Sequence, residues 1–255
     1  MAVTTPQMQT EKLQTENLQA EKLQAEFDKI MYHISHDLGG STRAISDIPQ
    51  WIIEDLSDAN IVLPEEINNH LRLLIRHSNR LENMMQGFLE YSRVGRYQGL
   101  ATLDPSKVLS WILEETAYPE TWDIINNVSP CTLRMSKHDL TALFKCLISN
   151  PIKHSDQDHG RLEINSHIED GFVKILFSDD GPGIEPQWQD KIFEMMKTLK
   201  SRDQVEGSGL GLSICKKICD HYGGNIWVDS SPAEKRGSVF GVSLPIHDSD
   251  SDSAQ

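Results

Sequence analysis

No stretch of this chain approaches the ~18 uninterrupted apolar residues of a membrane-spanning helix, and the N-terminus is polar rather than a charged-then-apolar leader. A soluble, cytoplasmic protein without membrane insertion is therefore expected. Basic charge is also scarce: 24 Lys and Arg stand against 38 Asp and Glu, a net charge of −14, with a pI of about 5.1. Nucleic acid and anionic lipid both need a basic surface, so neither is expected as a general partner. Cysteine is sparse, with only Cys131, Cys146, Cys215 and Cys219, and no Cys-x-x-Cys pair. Cys215 and Cys219 lie four apart on a helical pattern, which suits core packing better than metal ligation, and all four are read as reduced thiols.

What is present suits a folded protein. The 255 residues are 38% hydrophobic and 24% charged, with both signs represented, enough for two packed domains. Residues 9–27 repeat every five positions, as in Q-T-E-K-L and Q-A-E-K-L. That step advances about 140° around a helix, so Leu13, Leu18 and Leu23 form no single stripe. A solvated helical lead-in over 1–26 and a signal-carrying coiled coil both remain compatible with it.

From Phe27 the pattern changes. Phe27, Ile30, Met31, Ile34, Leu38, Ile45, Ile48 and Ile52 fall in one stripe about 100° wide on a helical wheel. A loop around Asp58–Leu63 ends this helix, and Pro64 with Glu65 and Glu66 starts another, whose stripe is Ile67, Leu71, Leu74, Leu81, Met85 and Phe88. Such a hairpin cannot bury both faces alone, and pairing with a second copy in a four-helix bundle is expected, hence a homodimer. Residues 27–95 form this domain and 96–103 a hinge. Residues 104–247 mix helix candidates (105–117, 137–150, 209–222) with strand candidates (161–168, 172–178, 225–229, 238–244), which predicts an α/β sandwich with a mixed sheet. The acidic tail, 248–255, reads as disordered.

Three constellations carry chemistry. In I-S-H-D-L, His36 points about 200° from the apolar stripe, and Asp37 could orient its imidazole or accept its proton while the other nitrogen attacks an electrophile. His33 lies near, but no third ligand makes a metal site. The runs D-D-G-P-G-I (179–184) and G-S-G-L-G-L (207–212) place glycines where backbone amides can approach phosphate, the second leading into a helix. In C-L-I-S-N-P-I-K-H-S (146–155), Asn150 and Lys153 share a helix face, suiting an amide on Mg²⁺ and an ammonium on phosphate.

With these residues in view, the chain resembles the two-component sensor histidine kinases from about Phe27 to Ile246. I-S-H-D-L is similar to the family's H box, C-L-I-S-N-P-I-K to its N box, S-D-D-G-P-G-I and E-G-S-G-L-G-L-S-I to its glycine boxes, and K-I-F-E-M-M-K-T-L to its F box; G-G-N-I-W-V and G-S-V-F continue the order. The resemblance implies a dimerisation and phosphoacceptor hairpin followed by an ATP-binding domain of the Bergerat type. It implies that His36 accepts the phosphoryl group beside Asp37, that Asn150 ligates Mg²⁺ and that Asp179 meets the adenine amino group. Gly181, Gly183, Gly207, Gly209 and Gly211 would shape the nucleotide loops. Lys197, Lys200 and Arg202 would lie in a lid facing the γ-phosphate, with Lys153 as the other phosphate candidate. The implied cofactors are ATP and Mg²⁺, and the implied partner is the receiver domain of a response regulator. No sensor domain precedes residue 27, so a separate sensor protein, or a longer parent chain, is expected to supply the input.

Four features depart from the family. Gly39, Gly40, Ser41 and Thr42 follow H-D-L where a basic residue, a small residue, proline and leucine are usual, so the helix kink is expected to move, with the glycines flexible and Pro49 a break further on. Gly40 replaces the polar residue associated with phosphatase activity. Cys146 stands where asparagine is common and Pro151 where alanine is usual. Pro151 either lies inside the helix, at a cost on the order of 3 kcal/mol beside the metal ligand, or follows a helix that ends at Asn150. A catalytically impaired phosphotransfer or scaffold protein is therefore the alternative to an active kinase. An ATPase of the gyrase and chaperone group is a third reading, weakened because Cys146 cannot act as that group's glutamate base.

Overall fold

The computed structural model describes residues 6–96, 99–198 and 208–247. The chain divides into two compact units, Met1–Arg93 and Val94–Gln255.

The first unit is a helical hairpin of α1 (Pro6–Asp58) and α2 (Glu65–Arg93). The turn is set by Asn60 in the left-handed region, φ 54°, and the Ile61 N–H returns to the Leu56 carbonyl at 2.9 Å. Glu65 and Glu66 open α2 and Arg93 closes it, each sign at the end its charge favours. The expected break in α1 is not observed, because the helix runs unbroken through Gly39, Gly40 and Pro49. Pro49 has no N–H for the Ile45 carbonyl, and the Ser78 hydroxyl of α2 donates to that carbonyl instead, at 3.3 Å. The groups buried on the hairpin are small or polar for the most part: Thr42, Ser46 and Pro49 on α1, Ser78 and Met85 on α2. The apolar stripe lies outside, with Ile34, Leu38, Ile45 and Ile48 between 44% and 47% exposed.

The second unit is an α/β sandwich. Its five-stranded sheet has the order β2-β4-β5-β7-β6, with β2 (Trp122–Asn127), β4 (Gly160–Glu169), β5 (Phe172–Asp179), β6 (Asn225–Asp229) and β7 (Val239–Pro245). Only β2 and β4 run parallel, so the sheet is mixed as expected. Alternate residues of the central strands are buried: Leu162 and Ile164 on β4, Val173, Ile175 and Phe177 on β5. They share one core with α3 (Pro105–Glu115), α4 (Lys137–His154) and α6 (Gly211–His221). Phe144 of α4 packs on Phe177 with ring centroids 5.9 Å apart.

Several boundaries differ from expectation. The stretch 96–103 contains β1 (Ala101–Leu103), which pairs antiparallel with β3 (Leu133–Met135). The preceding Gly95 donates its N–H to Asp139 Oδ2 at 3.0 Å. Helix α4 does not stop at Asn150 but continues through Pro151 to His154, closed by the Ser155 N–H on the Pro151 carbonyl. The acidic tail 248–255 lies outside the described residues.

Candidate functional site

One cleft opens between the C-terminal turns of α4, the loop after β5 and the start of α6. Each wall has a local cause. Ser136 caps α4, accepting from the Asp139 N–H at 3.4 Å, and the helix then carries Cys146, Asn150, Lys153 and His154 along the cleft. Strand β5 ends at Asp179, whose N–H donates to the Ser238 carbonyl at 2.9 Å. The chain turns there because Gly183 takes φ +80°, against Pro232 and Ser230. Ser230 pins this loop twice, accepting from the Ile184 N–H at 2.9 Å and donating to the Gly237 carbonyl at 2.8 Å. On the far side Gly209 takes φ +72° and leads into α6, whose first residues Gly211 and Leu212 border the cleft with free N-terminal amides.

Asp179 is the acidic group facing the cleft. Its carboxylate accepts from the Gly181 N–H at 2.9 Å. Burial nevertheless holds its pKa above the usual carboxylate range, outweighing the hydrogen bonds from Gly181 and Ser238 that favour the charge. The neighbouring Asp180 has a different task, accepting the Arg161 N–H at 2.9 Å and so tying the loop to the start of β4. The two adjacent acids of the motif thus divide into one site group and one scaffold group.

Cys146 packs differently from an open surface residue. A Cβ placed on Gly211 would lie 2.8 Å from its sulfur, so this glycine is required by the thiol opposite it. Cys215, one turn further along α6, faces the same stretch of α4, its thiol directed at the Leu143 carbonyl 4.0 Å away. The neighbouring Cys215 thiol draws the Cys146 pKa down despite its burial, while Cys146 and burial push the Cys215 pKa well up. Pro151 is buried, and Asn150 beside it still borders the cleft.

Of the residues singled out in the sequence, Asn150, Lys153, Asp179, Gly181, Gly183, Lys197, Gly209 and Gly211 all border this cleft. Lys200, Arg202 and Gly207 lie outside the described residues. His36 and Asp37 lie on α1 in the other unit; Asp37 is exposed, and the His36 side chain is outside the described set. Sequence reasoning missed His154, Thr198, Ser208 and Ser238, which also line the cleft, and the support from Ser230. All four lie inside the quoted motifs, which was the signal that could have found them, but none of them received a role there.

Residues 135–248 match the family of histidine kinase-, DNA gyrase B- and HSP90-like ATPases. The adaptive-response sensory kinase SasA of Gloeothece citriformis is 28% identical over 235 residues, 86% of this chain and 58% of that protein. A solved structure of the mycobacterial sensor histidine kinase MprB is 26% identical, covering 58% of this chain and 98% of that one, with a TM-score of 0.52. Over residues 135–248 the chain belongs to that ATPase family, whose Bergerat-type ATP-binding fold it carries, and it resembles sensor histidine kinases. The histidine kinase ThkA, solved in complex with the response regulator protein TrrA, shares the fold across 92% of this chain and 66% of that one, at 21% identity and a TM-score of 0.60. The chain spans 29% of the length of the cyanobacterial phytochromes that it also matches. Among the described residues no helix of this chain is long and apolar enough to cross a membrane.

Proposed function

We propose that the α/β unit binds Mg-ATP, that the chain phosphorylates its own His36, and that the phosphoryl group passes to an aspartate in the receiver domain of a response regulator. The observation that carries this reading is the pairing of a half-buried acceptor, Asp179, with glycine-lined walls and a helix N-terminus in one cleft. A carboxylate partly shielded from water gains more from a donor such as the adenine amino group than an exposed one does. The backbone at Gly209 and Gly211, with Lys153 and Lys197, suits the phosphates; Lys200, Arg202 and Gly207 extend the same wall by sequence.

The residues also fit a magnesium ion. Asn150 offers one hard oxygen in the cleft, and Mg²⁺ takes most of its remaining ligands from phosphate and water. When bound, the metal would neutralise phosphate charge during transfer. A His36 ring nitrogen then attacks the γ-phosphorus, the bond to ADP breaks, and Asp37 receives or steadies the ring proton. Asn150 borders the cleft although Pro151 lies in its helix, which favours an active enzyme over a scaffold that has lost turnover.

The exposed stripe of the hairpin supports a homodimer, since it has the period of a bundle seam and is not covered by the chain's own second helix. Incubation with γ-labelled ATP tests the whole reading. Acid-labile, base-stable label should appear on the protein and vanish in His36→Gln while the dimer persists. Label retained in that variant would move the acceptor, with His33 the first suspect. Free phosphate without labelled protein would identify an ATPase instead.

A further inference from the structure

We propose that Cys146 and Cys215 form a peroxide-sensitive dithiol that closes the nucleotide cleft when oxidised to a disulfide. The gating rests on the reading of the cleft as a nucleotide site; the linkage itself does not.

The placement of the two sulfurs carries the inference. Cys146 borders the cleft one turn before Asn150, where a small oxidant in solution can reach it. Cys215 is fully buried on α6, one turn after the Gly211 that faces the Cys146 sulfur, and its own sulfur lies 4.0 Å from the carbonyl of Leu143, one turn before Cys146 on α4. The Cys215 thiol beside it favours the Cys146 thiolate, which is the form that attacks peroxide. The other two thiols lack this combination. Cys219 is fully buried, with its pKa pushed up to about 12 by burial. Cys131 lies by a separate groove near Trp111.

The chemistry balances with a hydroperoxide as oxidant. The Cys146 thiolate attacks one peroxide oxygen, the O–O bond breaks, and the departing hydroxide takes up a proton to become water. The Cys215 sulfur then attacks the sulfenic sulfur, the S–O bond breaks, and the hydroxyl leaves with the Cys215 proton as a second water. A dithiol reductant reverses the bond by exchange.

The consequence for the cleft follows from distance. A disulfide requires the two sulfurs at about 2.05 Å, well inside the separation of unbonded sulfurs, so the helices that carry them must draw together. That movement falls on two helices which bear Asn150 and Gly211, and no slack exists where the Cys146 sulfur already abuts Gly211. Misplacement of about 1 Å in such a site is worth ~100-fold in rate.

The test treats the whole chain with hydrogen peroxide and follows two readouts. Mass spectrometry should find the loss of two hydrogens and a peptide pair joining Cys146 to Cys215, formed more slowly when Mg-ATP is present. Binding of a fluorescent ATP analogue should weaken at least about tenfold and recover with dithiothreitol. Cys131→Ser should keep the whole response, and Cys215→Ala should lose the linked peptides. Absence of the linked pair overturns the proposal, as does oxidation of Cys146 to the sulfinic acid without joining Cys215. A linked pair with unchanged analogue binding overturns the gating alone. Failure of the reduced protein to bind the analogue at all removes the nucleotide reading instead, and is seen before any oxidant is added.

Discussion

In the α/β unit Leu109, Ile112, Leu140, Leu143, Phe144 and Ile148 are all completely buried, whereas Ile34, Ile45, Ile48, Leu74 and Leu81 of the hairpin remain about half exposed. The difference is not one of composition, because both regions have regular apolar patterns. It is one of geometry. A sheet with three helices on one face encloses a core within a single chain, while two helices meet along a line and leave the rest of each stripe outside. Here that line is occupied largely by Thr42, Ser46, Pro49 and Ser78, so the large aliphatic side chains are left for another surface. Full burial of a large aliphatic side chain contributes roughly 1.5–3 kcal/mol. The exposed halves of Ile30, Ile34, Leu38, Ile45, Ile48, Ile52, Ile67, Leu74 and Leu81 then amount to about 10 kcal/mol of gross burial, before the cost of association.

The largest test of this contrast is the double substitution Ile45→Glu, Ile48→Glu. Two charges in a bundle seam should weaken dimerisation by at least about 100-fold, giving a monomer at micromolar concentration in sedimentation velocity, with the unfolding of the α/β unit unchanged. A dimer that survives would mean the stripe is not the seam. Next in size is Leu143→Ala in the closed core, expected to cost about 2–5 kcal/mol in denaturant unfolding of the α/β unit while leaving the dimer intact.

Asp179→Asn should weaken ATP binding about tenfold, more than GTP binding, and at the same time raise the melting temperature near neutral pH. The sign follows from its raised pKa: folding disfavours the charged form, so the charge destabilises at neutral pH, and the gap between wild type and variant should shrink as pH falls through that raised value. Equal loss for both nucleotides would make Asp179 structural. The smallest effect is expected for Ser78→Ala, about 1 kcal/mol from the hairpin, because the Ile45 carbonyl then loses the donor that replaces the Pro49 N–H. Pro49→Ala in the same background should restore most of that loss, since it returns the N–H.

Much of this was legible in the sequence, and the exceptions have physical causes. Strands β4 to β7 and helices α3, α4 and α6 have strong periods bounded by turn residues. Strands β1 and β3 have three residues each, too few for a period. Strand β2 is an edge strand, and its Asn126 and Asn127 bind Val128 N–H and Asn165 rather than alternating with apolar residues. Proline usually marks a helix end, but Pro151 sits buried in a helix that tertiary packing carries onward. In the site, Gly183 and Gly209 were readable because their φ values, +80° and +72°, favour glycine, and Asp179 was readable from its place ahead of the first of them. The contact of Cys146 with Gly211 and Cys215 was not, since it exists only once α4 and α6 are packed. The same holds for Ser78 on the Ile45 carbonyl, a bond between residues 33 apart.

The unbroken course of α1 has a mechanical meaning. Fifty-three helical residues make a shaft about 80 Å long, and twist applied near its start arrives at His36 with no joint to dissipate it. Just past the histidine stand Gly39 and Gly40, neither with any atom within 4 Å of where a side chain would begin, so no packing accounts for them. Each gives up about 1 kcal/mol of helix stability relative to alanine. The weakest turn for torsion therefore lies directly downstream of His36, and rotation that enters from above is spent turning the histidine's neighbourhood, while the lower part of the hairpin, keyed by Ser78, keeps its angle.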